Sequence, residues 1–531
     1  MASKKDSFSS RVSLNLVANV LRTVLMALAG LLMVPYYIDQ FGIATYAILP
    51  LATTVTNYFV MISDSLSNAF SRYISISAQN GDSDNVNVVF TSSVIGMAKC
   101  MLMMAPLAIL VSLAAPYIFH IGPSGASDVQ VMFLLIMAAS MIISFGSSLG
   151  GVYTAFNSLY ITYFCRSVQT ASQVAVVVLL LIMDGPSLPL IGVSFLASAL
   201  LMLVLMILPL RRICPTLQFR RGLHDAGLLK EMGSLGLWAM LSELGSLLFI
   251  QASLVIVNMM LGSGTQGVFS IAASMIMMVH TACTALAAVS IPLVYREYAV
   301  GDIGGLMRVL RIFTKFVGIT MAFPIAYVII FMPQVLGVWL GHDYPDLYGM
   351  LYIMLPIEVL ICATSALADV PVVFARVKPL AVATLIIGVA NIASASLIIQ
   401  FTDAGALGVC VCWAASMVFL KLVFYPMFCH ELTGGRISLY YRPIAEAYAV
   451  FAVCLVWLYA LSLVFTPPMT WPGVIVPFIL LFLLFFVLEM RFIFDSEERD
   501  MVKSYLPRFI QRVIDSMGAR ALRICRYGYL S

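Results

Sequence analysis

Runs of about 20 apolar residues recur along the whole chain, and each is long enough to cross a bilayer about 30 Å thick as a helix. Fourteen such spans are predicted, at residues 12–34, 44–66, 86–115, 128–154, 163–183, 188–210, 233–257, 266–290, 312–332, 347–369, 380–400, 406–428, 444–466 and 473–494. They do not alternate between apolar and polar residues, as the strands of a membrane barrel would. Only 10% of the 531 residues are charged, against about 25% in soluble globular proteins. The sequence therefore predicts an all-α polytopic membrane protein with 14 transmembrane helices.

Positive charge alternates from one loop to the next. Lys and Arg occur in the amino-terminal segment 1–11, in the loop that follows each even-numbered span and in the tail 495–531. The opposite loops contain neither residue; they are 35–43, 116–127, 184–187, 258–265, 333–346, 401–405 and 467–472. Since cytoplasmic loops carry the Lys/Arg excess, both termini are predicted to be cytoplasmic. The apolar and basic periodicity of the tail predicts an amphipathic helix on the inner leaflet.

A weak internal repeat divides the spans. Gly42 and Gly262 are 220 residues apart, and Gly81-Asp82 and Gly301-Asp302 keep the same offset. We predict an N-lobe of six helices at 12–210, a cytoplasmic linker at 211–232 and a C-lobe of six helices at 233–428. Two further helices, at 444–494, follow the C-lobe. Because six is an even number, the two lobes have the same orientation, with a pseudo-two-fold axis along the membrane normal.

Ionisable residues lie at membrane depth, where each one is a functional hypothesis. Asn15, Asn19 and Arg22 step by four and three residues and so share one face of span 1. The other candidates are Lys99, Glu243, His280, Glu358 and Lys421 inside spans, with Asp64 and Arg72 near the inner end of span 2. We expect Arg22, Asn19, Lys99, Arg72 and Lys421 to line a basic cavity for an anionic ligand, because arginine forks fit phosphate oxygens. Glu243, Glu358, Asp64 and His280 are the candidates for gating or ion coupling.

Structural interpretations stay open for these residues. Arg22 and Glu243 form an ion pair in one alternative, and Asp64 and Arg72 form a boundary pair in another. In a third alternative Lys99 and Lys421 extend to the membrane–water interface, and in a fourth His280 is a packed core residue.

No enzyme chemistry is visible in the sequence. It contains no metal-ligand cluster, no nucleophile–base set and no nucleotide-binding domain, so neither a catalytic role nor a cofactor nor a nucleic-acid partner is predicted. Gly262-Ser-Gly264-Thr-Gln-Gly267 matches the dinucleotide fingerprint by letter, but it lacks the preceding strand and is interpreted as a turn.

The run FGIATYAILPLATTVTNYFVMISDSLSNAFSRYISISAQNGD at 41–82 resembles the second-helix region of polysaccharide flippases of the MOP superfamily, including the O-antigen type. The shared pattern is Gly42, Tyr46, Asp64, Arg72 and Tyr73, although Ser65 stands where the family is expected to have glycine. The runs 291–302 and 331–344 resemble the second half of the family.

The resemblance implies a MATE-like bundle in the bacterial inner membrane that works by alternating access. The implied substrate is an undecaprenyl-pyrophosphate-linked oligosaccharide, flipped to the outer leaflet for surface polysaccharide synthesis with a polymerase as partner. Basic cavity residues would hold the pyrophosphate, and the two extra helices would hold the lipid tail. The alternatives are a cation-coupled drug exporter of the same superfamily, a membrane glycan polymerase or ligase, and a scaffold without transport.

Overall fold

The structure is a computed structural model that describes residues 2–505, without the side chains of 2–13, 16, 221, 233–239 and 503–505. The part of the predicted amphipathic tail from residue 506 onward lies outside the described residues.

The described chain is helical, and its helices match the predicted spans. Within residues 2–505, thirteen helices are long and apolar enough to cross a membrane. A fourteenth span is counted if the pair Met240–Leu247 and Ile250–Leu261, bent by 44° at its break, crosses as one. This confirms the predicted all-α polytopic fold, with 13 candidate spans in the described chain, or 14 if the bent pair is one span. Helices satisfy their own backbone groups, so a chain this apolar can cross a bilayer only as helices or as a closed barrel.

In chain order the helices are α1 Ala2–Phe41, α2 Ile43–Tyr46, α3 Ile48–Gln79, α4 Ser83–Ile118, α5 Ala126–Ala155, α6 Leu159–Asp184, α7 Leu188–Ile207, α8 Leu210–Ile213, α9 Ala226–Leu247, α10 Ile250–Leu261 and α11 Ser263–Ala287. They continue as α12 Ile291–Val300, α13 Ile303–Ile330, α14 Met332–Leu340, α15 Pro345–Ala363, α16 Val370–Val373, α17 Val377–Phe401, α18 Gly405–Val418, α19 Tyr425–Thr433, α20 Ser438–Ser462, α21 Trp471–Leu488 and α22 Ser496–Tyr505. Short 3₁₀ turns occur at Arg221–Leu223 and Ser365–Asp369. Two π-helical turns occur at Phe419–Phe424 and Glu489–Ile493.

The chain forms two compact units. The first unit contains Met1–Ser274 and Lys378–Val409, and the second contains Met275–Val377 and Cys410–Ser531. In the first unit α3 packs on α4, α5 and α9, and α5 packs on α7. Phe70, Tyr153 and Met206 belong to its buried core. In the second unit α13 is central, because it packs on α15, α20 and α21 and most of its length is buried.

Matching turns support the internal repeat. Gly42 has φ 72° and Gly262 has φ 87°, both with extended ψ, and both begin a new helix. Gly81 and Gly301 have φ 72° and 78°. The next residue caps a helix in each repeat: Asp82 accepts from the Asn85 amide, and Asp302 accepts from the Gly305 amide. The offset of 220 residues therefore reflects the same turn built twice.

The structure extends the repeat to turns that sequence comparison missed. Left-handed residues pair as Gly122 with Gly341, Asn157 with Ala375 and Gly185 with Gly405. Asn157 and Ala375 have nearly equal φ angles, 51° and 53°, although they are different residue types. The backbone geometry is therefore conserved between the repeats where the side chains are not. The boundaries of the two predicted lobes remain a prediction.

Candidate functional site

Charged residues from four helices meet in the first unit. Arg22 lies on α1, Asp64 on α3, Arg166 on α6 and Glu243 on α9. Arg166 interacts electrostatically with both Arg22 and Asp64, and Asp64 interacts with Glu243. We call these four residues the first charged cluster. The sequence predicted three of them as site residues, and Arg166 is the member that it did not select.

Arg22 is the least satisfied member of the first charged cluster. Its side chain is half-buried, and its Nε is buried without a hydrogen-bond partner. In the described part of the chain, no carboxylate lies within 4 Å of its guanidinium, so the ion pair between Arg22 and Glu243 is not formed here. Arg166, by contrast, donates from Nη2 to the Ser147 hydroxyl at 2.5 Å. Arg22 therefore retains an N–H donor for a ligand.

The polar face of α1 is anchored next to Arg22. Asn15 Nδ2 donates to Asn157 Oδ1 at 2.9 Å, and Asn15 Oδ1 accepts from the backbone N–H of Tyr160 at 2.8 Å. Asn19 lies between Asn15 and Arg22 and is half-buried. These contacts hold α1 against the start of α6. Asn15 therefore sets the orientation of the α1 face that carries Arg22.

A second charged cluster lies in the second unit. His280 on α11, Glu358 on α15 and Lys421 in the π-helical turn Phe419–Phe424 interact electrostatically. His280 Nδ1 is 3.9 Å from Glu358 Oε2, which is too long for a hydrogen bond. The Glu358 side chain is 2% exposed and that of His280 is 41% exposed. The Lys421 ammonium also lies 4.3 Å from the centre of the Tyr425 ring.

Lys99 and Arg72 lie apart from these contacts. Lys99 is exposed and lies 3.4 Å from a ring nitrogen of His224, in the segment between α8 and α9. Arg72 is exposed beside Tyr73, whose hydroxyl donates to Glu231 at 2.7 Å. Both residues therefore contact or neighbour the predicted linker 211–232.

A polar network that the sequence did not predict, buried except at His120, joins α10, α11 and the turn after α4. Asn258 Oδ1 accepts from the His120 amide at 2.9 Å, and Asn258 Nδ2 donates to the His120 carbonyl at 3.1 Å. Asn258 Nδ2 also donates to Gln266 Oε1 at 3.4 Å, and Gln266 donates to Ser270 at 2.8 Å. We call His120, Asn258, Gln266 and Ser270 the polar clamp. Asn258 and Gln266 are fully buried, so their loss would leave unpaired polar groups.

Helix ends approach closely beside the polar clamp. A Cβ at Gly267 would lie 2.6 Å from the Ile43 carbonyl oxygen, so α11 can pack against α2 here only with glycine. This is the last glycine of the motif that matches a dinucleotide fingerprint. Its role in this structure is close packing between helices.

Asp369 ends the 3₁₀ turn that follows α15, outside the candidate spans. Burial raises the pKa of its carboxyl to about 6. In the described residues, no group of three or more His, Cys, Asp or Glu side chains is arranged to hold a metal ion.

Comparison with known proteins identifies relatives over most of the chain. A family model described as "Polysaccharide biosynthesis protein" matches residues 14–296. The uncharacterized membrane protein EpsK of Bacillus subtilis (strain 168) is 23% identical over 501 residues, which cover 93% of this chain and 97% of that protein.

Solved structures agree on the fold. An inward-facing multidrug resistance MATE family transporter of the MOP superfamily has a TM-score of 0.64 and 15% identity, covering 79% of this chain and 98% of its own. The lipid II flippase MurJ in an inward closed conformation has a TM-score of 0.61 and 14% identity, covering 91% of this chain and 98% of its own. At these identities the likeness establishes the fold alone, and that fold is the one the sequence predicted.

Proposed function

Because the chain belongs to the polysaccharide biosynthesis protein family, we propose that it transports a lipid-linked oligosaccharide from the inner to the outer leaflet of the bacterial cytoplasmic membrane. The substrate proposed is an undecaprenyl-pyrophosphate-linked glycan, moved by alternating access, and the protein is a transporter without a catalytic step. The family match over residues 14–296 supports a role in polysaccharide synthesis, and the MATE- and MurJ-like fold supports transport.

The observation that carries the proposal is the unpartnered Nε of Arg22 in the first charged cluster. A pyrophosphate headgroup cannot enter hydrocarbon without replacement of its water, since unpaired buried charge is very costly. Arg22 offers a donor fork that binds phosphate oxygens in two parallel hydrogen bonds. Because Arg166 already binds Ser147, it supports Arg22 mainly through its charge. Asn19, on the same helix face, is proposed to bind polar atoms of the headgroup.

The other predicted site residues have four proposed roles. Lys99 and Arg72, exposed beside the segment 211–232, are proposed to attract the anionic headgroup from the cytoplasmic side. Lys421 is proposed as a further ligand for the substrate. Glu358 and His280 are proposed to couple an ion to the conformational cycle, because Glu358 Oε2 is buried without a hydrogen-bond partner. Asp64 and Glu243 are proposed to compete with the substrate for the arginines.

A second candidate function is cation-coupled export of a small molecule. The observation in its favour is the exposed carboxylate of Glu243 beside Asp64, which would attract a cation. The two candidates differ in the sign of the charge that the cluster binds.

The experiment that tests the proposal is depletion of the protein, followed by extraction of lipid-linked glycans. The leaflet position of the glycans is read with an impermeant glycosidase or lectin on intact spheroplasts. We expect completed oligosaccharides to accumulate on the inner leaflet, with recovery on re-expression of the natural chain. An unchanged pool would reject the glycan and favour the exporter, and completed units that reach the outer leaflet unpolymerised would favour a polymerase or ligase.

A further inference from the structure

A group of buried charges in the second unit belongs to neither charged cluster. Lys315 on α13 is 6% exposed, and its Nζ donates to Glu498 Oε2 and to the Ile493 carbonyl oxygen, both at 2.8 Å. Its Nζ also lies 3.6 Å from Glu446 Oε2 and 4.9 Å from the centre of the Phe494 ring. Lys315 therefore ties α13 to α20 and to the start of α22.

The docking of α22 uses one face of α13. Arg308, Arg311 and Lys315 are spaced by three and four residues, so they share that face. Arg311 lies 3.6 Å from Glu498, and Arg308 lies 2.9 Å from Glu497. The two acidic residues differ sharply in burial: the side chain of Glu498 is 8% exposed and that of Glu497 is 69% exposed. Glu498 is thus the buried anchor of α22, and Glu497 is a natural surface control.

Glu489 lies beside this contact in the π-helical turn Glu489–Ile493. It is fully buried, and its Oε1 accepts from the Thr320 hydroxyl at 2.8 Å. Its Oε2 is buried and has no hydrogen-bond partner. In the described chain no Lys or Arg nitrogen lies within 4 Å of it. π-Helical turns are rare and are frequently found at functional sites.

The charged groups around Glu489 determine whether its carboxyl group is protonated. Lys315 on α13 interacts with it electrostatically, but the Lys315 ammonium is already bound to Glu498 and Ile493. On α20, Cys454 and Glu446 face the same region, and Glu446 accepts from Arg442 at 2.8 Å. A buried carboxylate without a bound cation is far more costly than the neutral acid. Glu489 therefore holds a proton while Lys315 binds Glu498.

We propose that Glu489 is a proton-binding site, separate from both charged clusters, and that its proton is coupled to the docking of α22 through Lys315. Loss of the proton to cytoplasmic water leaves the Glu489 carboxylate, which takes the Lys315 ammonium as its partner. The Lys315–Glu498 ion pair breaks in the same step, which leaves Glu498 with Arg311 as its charged partner and weakens the docking of α22. The inference does not depend on the substrate proposed above.

The coupling has a reciprocal consequence. If deprotonation of Glu489 releases α22, then removal of α22 must make Glu489 easier to deprotonate by the same factor. One coupled proton changes the ratio of docked to released α22 by at most about tenfold per pH unit.

The test uses the full chain in lipid nanodiscs with spin labels attached to unnatural amino acids at Asp500 and Arg296, both at the surface of the second unit. Pulsed electron paramagnetic resonance then reports the distance between α22 and α12 at a series of pH values. We expect one short-distance population at low pH and a second, longer one that grows as the pH rises. Infrared spectra of the same samples report protonated carboxyl groups.

The variants separate proton binding from simple docking. Glu489→Gln mimics the protonated acid, so we expect α22 to stay docked at all pH values and one protonated-carboxyl infrared band to disappear. Glu498→Gln is expected to release α22 at all pH values. Glu497→Gln, which neutralises an exposed carboxylate on the same helix, is expected to keep the pH dependence of the natural chain. The proposal is wrong if Glu489→Gln retains that pH dependence or loses no protonated-carboxyl band.

Discussion

Two arginines share the first charged cluster, but only Arg22 has a buried N–H without a partner. We therefore predict that Arg22→Ala reduces transport by at least about tenfold, the loss expected when a charge-assisted hydrogen bond worth about 1.5–3 kcal/mol is removed. Arg22→Lys should recover part of the activity, because lysine keeps the charge but lacks the planar fork. The measurement is complementation of a depleted strain at normal expression level.

Arg296→Ala is the matched control for Arg22→Ala. Arg296 is an arginine whose side chain is 72% exposed, and its nearest carboxylate is that of its sequence neighbour Glu297. We expect this variant to complement fully. Full complementation by Arg22→Ala would remove Arg22 from the proposed binding site.

Asp369 predicts a pH dependence of stability. Its pKa is raised to about 6 in the folded protein. An unfolded aspartate has a pKa of about 3.9, so the folded state binds more protons between these values and its stability falls as the pH rises through that window. At about 1.4 kcal/mol per pH unit, the full loss is about 3 kcal/mol. We expect Asp369→Asn to flatten this dependence and to raise the thermal midpoint at neutral pH, whereas Asp403→Asn, at an exposed site, should do neither.

At the scale of elements, the polar clamp sets how the turn after α4 contacts α10 and α11. Asn258→Ala removes the side chain that bonds both His120 and Gln266, and it leaves buried polar groups unpaired. We expect a local loss of about 1–3 kcal/mol. Amide hydrogen exchange should accelerate in residues 118–125 and 262–270. Ser270→Ala removes one of the two side-chain partners of Gln266 and leaves the contacts of Asn258, so its effect should be smaller. Equal exchange in all three proteins would contradict a clamping role.

The repeated turns make a second prediction at this scale. Ala375 has φ 53°, a left-handed conformation that costs a residue with a Cβ about 1–2 kcal/mol. Its counterpart in the first repeat is Asn157, a residue type that tolerates this region better. We expect Ala375→Asn to raise the thermal midpoint, whereas Ala375→Val should lower it. A lower midpoint for the asparagine variant would mean that the turn is not strained.

For the whole molecule, the alternation of Lys and Arg predicts sidedness. Fusions of a fluorescent protein to the carboxyl end should be fluorescent, because that end is predicted to be cytoplasmic. Fusions of alkaline phosphatase after Gly185 should be active, because the loop at 184–187 is predicted to be outside. Active phosphatase fused to the carboxyl end would contradict the predicted topology.

Sequence patterns predicted the spans and three members of the first charged cluster. Arg22, Asp64 and Glu243 were found because a charge inside an apolar run is visible without any knowledge of packing. Glu489 was missed because it lies at the end of the last span, where a charged residue is ordinarily an interfacial one. His120 and Asn258 were missed because they flank loops, where polar residues give no signal of burial.

The sequence by itself determined the helical, membrane-spanning form of the chain and the internal repeat, because these depend on local properties of the chain. An apolar run must satisfy its backbone groups within the run, and a left-handed glycine marks a turn wherever it occurs. Only the tertiary structure decided which charges meet. Lys315 and Glu498 are 183 residues apart, and His120 and Asn258 are 138 apart. Such pairs are selected by helix packing and by the cost of leaving a buried polar group unpaired. Neither of these two factors can be predicted from a local stretch of sequence.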